Sequence, residues 1–200
     1  MKNKTISADG HVFKKHRGME YRALIVELVK LLEPKVYVEV GTQKGYTFNY
    51  IATMSLIQRA IAIDTVMQAS VLNTDKTELY GMTTKDWAKK WSLEPKEFID
   101  FLLIDADHEK KAVLRDLDIM LPYVRTGSGL IFLHDTHPNA EYLISPGYCN
   151  NAWEAARFIF KNRKYKNLEV VTFPGPYAGL SIVRKAPQHL NWRNPKGGKP

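Results

Sequence analysis

Between residues 18 and 33 the apolar side chains Tyr21, Leu24, Ile25, Leu28, Val29 and Leu32 recur at helical spacing, and Pro34 closes the run. The spacing predicts a helix there. Val36 to Val40 (VYVEV) is β-branched and aromatic and stops at Gly41, which predicts a buried strand. A helix over 45–58 and a short strand at Ile61–Asp64 follow, then a strand near Thr77–Gly81 and a helix around Thr84–Trp91. Ile99–Ile104 is an apolar strand that ends in the polar cluster Asp105-Ala106-Asp107-His108. The next helix runs to about Leu121, with Val113, Leu117 and Met120 on one face. Gly127 and Gly129 turn the chain into the strand Leu130–Leu133, which ends in His134-Asp135-Thr136-His137. An amphipathic helix over Asn151–Arg163 precedes two strands, Leu168–Phe173 and Gly179–Arg184, and the short Pro174–Tyr177 turn between them predicts an antiparallel pair.

Strand alternating with helix, closed by a hairpin, predicts an α/β chain with an open, mostly parallel, doubly wound sheet covered on both faces. Ligands of such sheets bind at the carboxyl ends of the strands, where the strand order reverses. Glu39/Gly41, Asp64, Asp105 and Asp135 all fall at those ends. One acid after an apolar strand can be mere solubility punctuation; four on successive parallel strands would face one crevice.

Composition narrows the class without changing this picture. Two hundred residues with 44% hydrophobic and 25% charged side chains suit one folded domain rather than a disordered or fibrous chain. Cys149 is the single cysteine and has no internal partner, which suits a reducing cytoplasm. No apolar run approaches the roughly 20 residues that span a bilayer, so no membrane association is expected. The start of the chain has lysines but no apolar stretch behind them, unlike a signal peptide. The net charge of +8 is concentrated at the ends: residues 1–17 sum to +4 and residues 184–200 to +5, leaving −1 for the rest. This divides the chain into a basic N-terminal segment (1–16), one domain (17–185) and a basic, Gly/Pro/Lys-rich tail (186–200) expected to be disordered. Basic ends read as solvated tails or as a weak attraction to an anionic partner. Oligomeric state, a homodimer included, leaves no mark in the sequence.

The segment Glu39-Val40-Gly41-Thr42-Gln43-Lys44-Gly45 links a strand to a helix. Its glycines allow a tight turn and a close backbone approach to a ligand. It is neither a P-loop nor the dinucleotide G-x-G-x-x-G, and the missing glycine at Gln43 disfavours a nicotinamide dehydrogenase. Asp64, at the end of the next strand, is placed to accept hydrogen bonds from ribose hydroxyls.

At these residues the chain resembles the class I S-adenosylmethionine-dependent methyltransferases, from about Arg17 to Arg184. Glu39-x-Gly41-x-x-x-Gly45 looks like their first motif, and Asp64 matches their ribose-binding acid. The stretches Ile104–His108, Leu121-Pro122, Gly127–Ile131 and His134–Thr136 resemble the small-molecule O-methyltransferases of the catechol and caffeoyl-CoA types and related tailoring enzymes. The resemblance implies a Rossmann-like, seven-stranded sheet whose last strand inserts antiparallel, with S-adenosyl-L-methionine as cofactor. It implies a cofactor site of Glu39, Gly41, Thr42, Gly45, Asp64, Thr83 and Asp105, with Thr83 on the adenine side.

The same resemblance implies a divalent cation such as Mg at Asp105 and Asp135. The third position, usually an amide, is Thr136, with His134 and His137 beside it as softer substitutes. His108 stands where the catechol-type enzymes carry a lysine base. With an ordinary pKa near 6.5, a histidine there is either a general base working with Asp105 or a helix-start bystander. His11 and His16 could join an acceptor lid, and Trp192 is an aromatic candidate for an interface or lid. Trp87, Trp91 and Trp153 read as core before pocket. The expected partner is a small hydroxylated acceptor. Nucleic acid or protein as acceptor, and a fold that binds cofactor without transfer, are the alternatives; the absence of a D/N-P-P-Y/F motif after the fourth strand argues against amine methylation of DNA.

Overall fold

The computed structural model describes residues 21–90, 97–175 and 178–187, and the backbone of 5–6 and 12–13, which form a two-residue antiparallel ribbon. Seven further strands, numbered here in chain order, make the main sheet: β1 (Val36–Val40), β2 (Arg59–Asp64), β3 (Thr77–Gly81), β4 (Phe101–Ile104), β5 (Leu130–His134), β6 (Leu168–Phe173) and β7 (Leu180–Lys185). Five helices accompany them: α1 (Tyr21–Leu32), α2 (Tyr46–Thr53), α3 (Thr84–Lys90), α4 (Lys110–Met120) and α5 (Trp153–Lys161).

The strand order is β3-β2-β1-β4-β5-β7-β6, parallel from β3 to β5. β7 runs antiparallel between β5 and β6, as the hairpin pattern predicts. The chain moves outward from β1 to β3, then crosses back to β4 on the other side of β1. That reversal opens a crevice between the carboxyl ends of β1 and β4.

Alternation along the strands explains how both faces are covered. Val36, Val38, Val40, Leu102, Ile104, Ile131 and Leu133 point to one face, where they pack with Trp87, Val113, Leu117, Met120 and Ile159 from α3, α4 and α5. Tyr37, Phe101, Leu103 and Phe132 point to the other, against Ile25, Val29, Phe48 and Ile51 from α1 and α2. Continuous burial of β1 and β4 is what a sheet covered on both sides requires.

The sequence expectations differ from the structure mainly at element ends. α2 stops at Thr53 rather than 58, because Met54 takes an extended backbone (ψ 134°) and its N–H bonds to the carbonyl of Ile51. β2 starts two residues early, at Arg59, whose guanidinium bridges Glu78 and Glu97. Ile99 only forms an isolated bridge to Val124, so β4 begins at Phe101. Residues 1–16 with His11 and His16, Trp91, and the tail beyond Pro187 with Trp192 lie outside the described residues, apart from the ribbon backbone. Among the described residues no helix is long and apolar enough to cross a membrane.

Candidate active site

The glycine loop leaves β1 at Glu39 and enters α2 at Tyr46. Gly41 has φ +87° and Gly45 has φ +76°, conformations that L side chains rarely adopt. The requirement at Gly41 is stricter than a ligand's approach alone: a Cβ there would overlap the backbone of Asp105 and Ala106 at the end of β4. The loop therefore lies directly on the neighbouring strand end. Gly41 N–H also donates to the carbonyl of Ile63, the residue before Asp64 (2.9 Å). Asp64 turns toward the loop, one carboxylate oxygen accepting from Gln43 N–H (2.8 Å) and the other from Val66 N–H (2.9 Å).

Two cavities meet here. The first, about 380 Å³, is lined by Gly41, Asp64, Thr65, Met82, Thr83 and Asp105 among others. Thr83 hydrogen-bonds Asp86 at the start of α3, so its hydroxyl is already in use on that wall. Thr84 donates to buried Asp116 of α4 (2.6 Å), a wall contact for which the sequence carries no motif. The second cavity, about 610 Å³, lies on the α1/α2 side and includes Glu39, Thr42, Thr47, Asp105, His108 and Asp135. Gly41, Gln43 and Asp105 line both.

Four side chains from the ends of β4 and β5 crowd the floor of the larger cavity. His108 Nε2 lies 2.9 Å from Asp135 Oδ2 and 3.9 Å from Asp105 Oδ1. His134 Nδ1 lies 2.9 Å from Asp105 Oδ1 and 3.3 Å from Asp135 Oδ2. The other nitrogen of His108 faces the carbonyl of Tyr148. Tyr21 of α1 stacks on His134 (ring centroids 3.9 Å apart) and donates to Asp105 Oδ2 (3.3 Å). Cys149 donates its thiol to Asp135 Oδ1 (3.3 Å).

The electrostatics follow from this packing. The hydrogen bond to Asp135 outweighs the effect of burial and pushes His108 up to about 9. Burial alone would lower His134, but Asp105 and Asp135 together raise it to about 10. Burial would lift Asp135, yet its hydrogen bonds to the two imidazoles hold it well below the usual carboxylate range. Two cations thus balance two anions. Burial pushes Cys149 up to about 12, with Asp135 adding to the effect, so it is a thiol and not a thiolate. Glu39 is buried and pushed up to about 8, partly countered by the hydrogen bond it accepts from Tyr37.

Most of the residues expected from the sequence come together, but Thr136 does not. It is buried, donates to the carbonyl of Leu133 (3.2 Å) and accepts from Ser181 of β7 (2.8 Å). That hydroxyl is occupied away from the two acids. Asp105, His108 and Asp135 each offer a donor atom, all within 4.8 Å of one another, a group that could hold a metal ion. His137 is exposed, its backbone tied to Ala178 (2.7 Å). The contact with Asp135 raises His108 above the ordinary imidazole value that the sequence expectation started from. Trp87 is fully buried in the core. Tyr21, Arg22, Thr47 and Tyr148 are site residues for which the sequence offers only helix periodicity or nothing.

Residues 38–136 match the family model described as a methyltransferase domain. This stretch of the chain is a methyltransferase domain. Its glycine loop, Asp64 and the β4 and β5 acids all fall inside the match. The whole sheet is similar to solved methyltransferases: the O-methyltransferase TomG from Streptomyces achromogenes in complex with SAM (15% identity, 82% of this chain and 78% of that one, TM-score 0.59). An O-methyltransferase from Bacillus cereus in complex with SAH is comparable (18%, 80% and 78%, TM-score 0.56). So is an rRNA methylase from Streptococcus thermophilus (11%, 84% and 98%, TM-score 0.59). At these identities the likeness is one of fold, and it makes the methyltransferase domain Rossmann-like with a β3-β2-β1-β4-β5-β7-β6 sheet. An uncharacterised protein, R132 of Acanthamoeba polyphaga mimivirus, is 28% identical over 110 residues, and the match spans about half (49%) of that relative's length.

Proposed function

We propose that the chain transfers a methyl group from S-adenosyl-L-methionine to an oxygen of a small hydroxylated acceptor. The observation that carries this reading is the junction of two cavities at Gly41, Gln43 and Asp105: a compartment edged by the Asp64 carboxylate beside a larger one floored by acids and imidazoles. In this reading Asp64 holds the ribose and the Met82–Thr84 wall borders the adenine. Glu39 and Asp105, with the Gly41–Gly45 loop and Thr42, receive the methionine end. The activated methyl then points into the larger cavity. Because the sulfonium is already reactive, the protein's task is to aim an oxygen at it. As the S–CH3 bond breaks and the O–CH3 bond forms, the acceptor hydroxyl gives its proton to the Asp105 carboxylate. His108, braced by Asp135, stabilises the charge that develops on the oxygen. Titration calorimetry with S-adenosylhomocysteine tests the reading directly: micromolar binding is expected, and folded protein that shows none at millimolar ligand would refute it.

A divalent cation is a second reading of the same floor, favoured by the three donors within 4.8 Å. The Nε2 proton of His108 and a cation would compete for one place between Asp105 and Asp135. When bound there, a cation supplies Lewis-acid polarisation of the acceptor hydroxyl. One imidazole with two carboxylates also accommodates Mn, Fe or Zn more readily than a site made only of oxygen donors.

A further inference from the structure

The floor of the larger cavity is only half of its polar lining. From Asp105 a row of polar atoms runs up the wall made by α1 and α2: Tyr21 Oη is 3.3 Å from Asp105 Oδ2, Thr47 Oγ1 is 3.4 Å from Tyr21 Oη, and Arg22 Nε donates to Thr47 Oγ1 at 2.8 Å. Negative charge stands at one end of this row and a guanidinium at the other. Arg22 is half-buried, packed over the rings of Tyr21 (5.1 Å) and Tyr46 (6.0 Å). Among the described residues no carboxylate lies within ion-pair distance of it. One of its five N–H groups is spent on Thr47, and among the described residues the terminal fork has no acidic partner. α2 begins at Tyr46 without a side-chain cap, so the amide end of that helix adds to the positive field beside Thr47.

We propose that Arg22, braced by Thr47, is a carboxylate-binding residue of the larger cavity. A guanidinium held against two rings and a hydroxyl loses little freedom when it grips a planar acid, and its fork matches one. The row is polarised to take a ligand whose acid points at Arg22 and whose cationic or hydroxyl end points at Asp105. Two ligands of the proposed reaction offer that chemistry: the amino-acid end of the cofactor, and an acceptor that carries its own carboxylate. The inference rests on the proposed use of an adenosyl cofactor.

Calorimetry on the full chain separates the two sources. S-adenosylhomocysteine and its decarboxylated analogue are titrated into the wild type, Arg22→Gln and Arg22→Lys; 3,4-dihydroxybenzoate and catechol are then titrated into the same proteins loaded with S-adenosylhomocysteine. A charge-assisted contact of this kind predicts a preference of about tenfold or more for the acid-bearing partner in the wild type. Loss of the preference for S-adenosylhomocysteine over its decarboxylated analogue in Arg22→Gln assigns the contact to the cofactor. Loss of the benzoate preference alone assigns it to the acceptor. Either outcome supports the proposal, and Arg22→Lys is expected to retain part of the preference. A wild type that does not discriminate in either pair, or an Arg22→Gln that discriminates as well as the wild type, overturns it. In both of those cases intact binding of S-adenosylhomocysteine leaves the methyltransferase reading standing. Failure of the wild type to bind S-adenosylhomocysteine at all removes that reading and this inference together.

Discussion

His108 and Asp135, from the loops after β4 and β5, meet at 2.9 Å, and this contact sets the charge of the floor. Removing the negative charge by Asp135→Asn takes away the main cause of the raised His108 value. The imidazole is then expected to titrate well below about 9, back toward its ordinary 6.5. Because its folded value lies above the unfolded one, His108 contributes stability that is fully present below about 6.5 and is lost as pH rises through about 9, while Asp135, held low, loses its share as pH falls through the carboxylate range. Titration of the imidazole by NMR in chelator-treated protein measures the first effect, and denaturant melts between pH 6 and pH 10 measure the second.

Glu39 gives a pH dependence from the opposite kind of group. Burial raises its carboxyl to about 8, so the folded chain binds a proton there that the unfolded chain releases near 4.5. This contribution to stability is present at low pH and is lost as pH rises from about 4.5 to about 8. A cofactor that brings positive charge to Glu39 favours the ionised form. Binding of S-adenosylmethionine is expected to release a proton below pH 8 and to tighten as pH rises to that point. Calorimetry in two buffers of different ionisation enthalpy detects the released proton, and Glu39→Gln should abolish it.

Gly41→Ala is expected to destabilise the domain by ~2 kcal/mol or more, since it combines a left-handed backbone with overlap on the neighbouring strand end. A urea melt gives the loss. Gly81→Ala, at the end of β3, where an added Cβ meets nothing within 4 Å, is the control and should lie within about 0.5 kcal/mol of the wild type.

Asp64→Ala removes the acceptor for Gln43 N–H and the edge of the smaller cavity. Affinity for S-adenosylhomocysteine is expected to fall by roughly tenfold to a hundredfold, the worth of one or two hydrogen bonds to a charged group. Equilibrium binding measures it.

Thr136 and His108 separate the two versions of the cation centre. Mn is expected to raise the melting temperature of the wild type and of Thr136→Val by the same increment, while His108→Ala removes the increment. Thr136→Val should still cost about 1 kcal/mol in the absence of metal, because it removes one of the two hydroxyl partners of buried Ser181, leaving only Thr172. Thermal scans with and without Mn report both.

The fold was largely legible because its signals are local. Val36–Val40 appears as written, and the acids at the ends of β2, β4 and β5 fall in line once the strands are parallel. The site was legible only where it belongs to a strand end. Thr136 follows an acid as a ligand should, yet its hydroxyl is committed to a strand that arrives much later in the chain. Tyr21, Arg22 and Thr47 lie on helices whose periodicity marks the core; their polar atoms reach the cavity only because α1 and α2 pack side by side. The upward shift of His108 depends on a spatial neighbour, which no spacing rule supplies.

The bare Cα of Gly41 lies against the peptide of Asp105, so the smaller and the larger cavity share one backbone junction. Any tilt of the loop on loading would be felt at once by the aspartate beneath it, and through that aspartate by His134. Any change in one cavity therefore bears on the backbone that also walls the other.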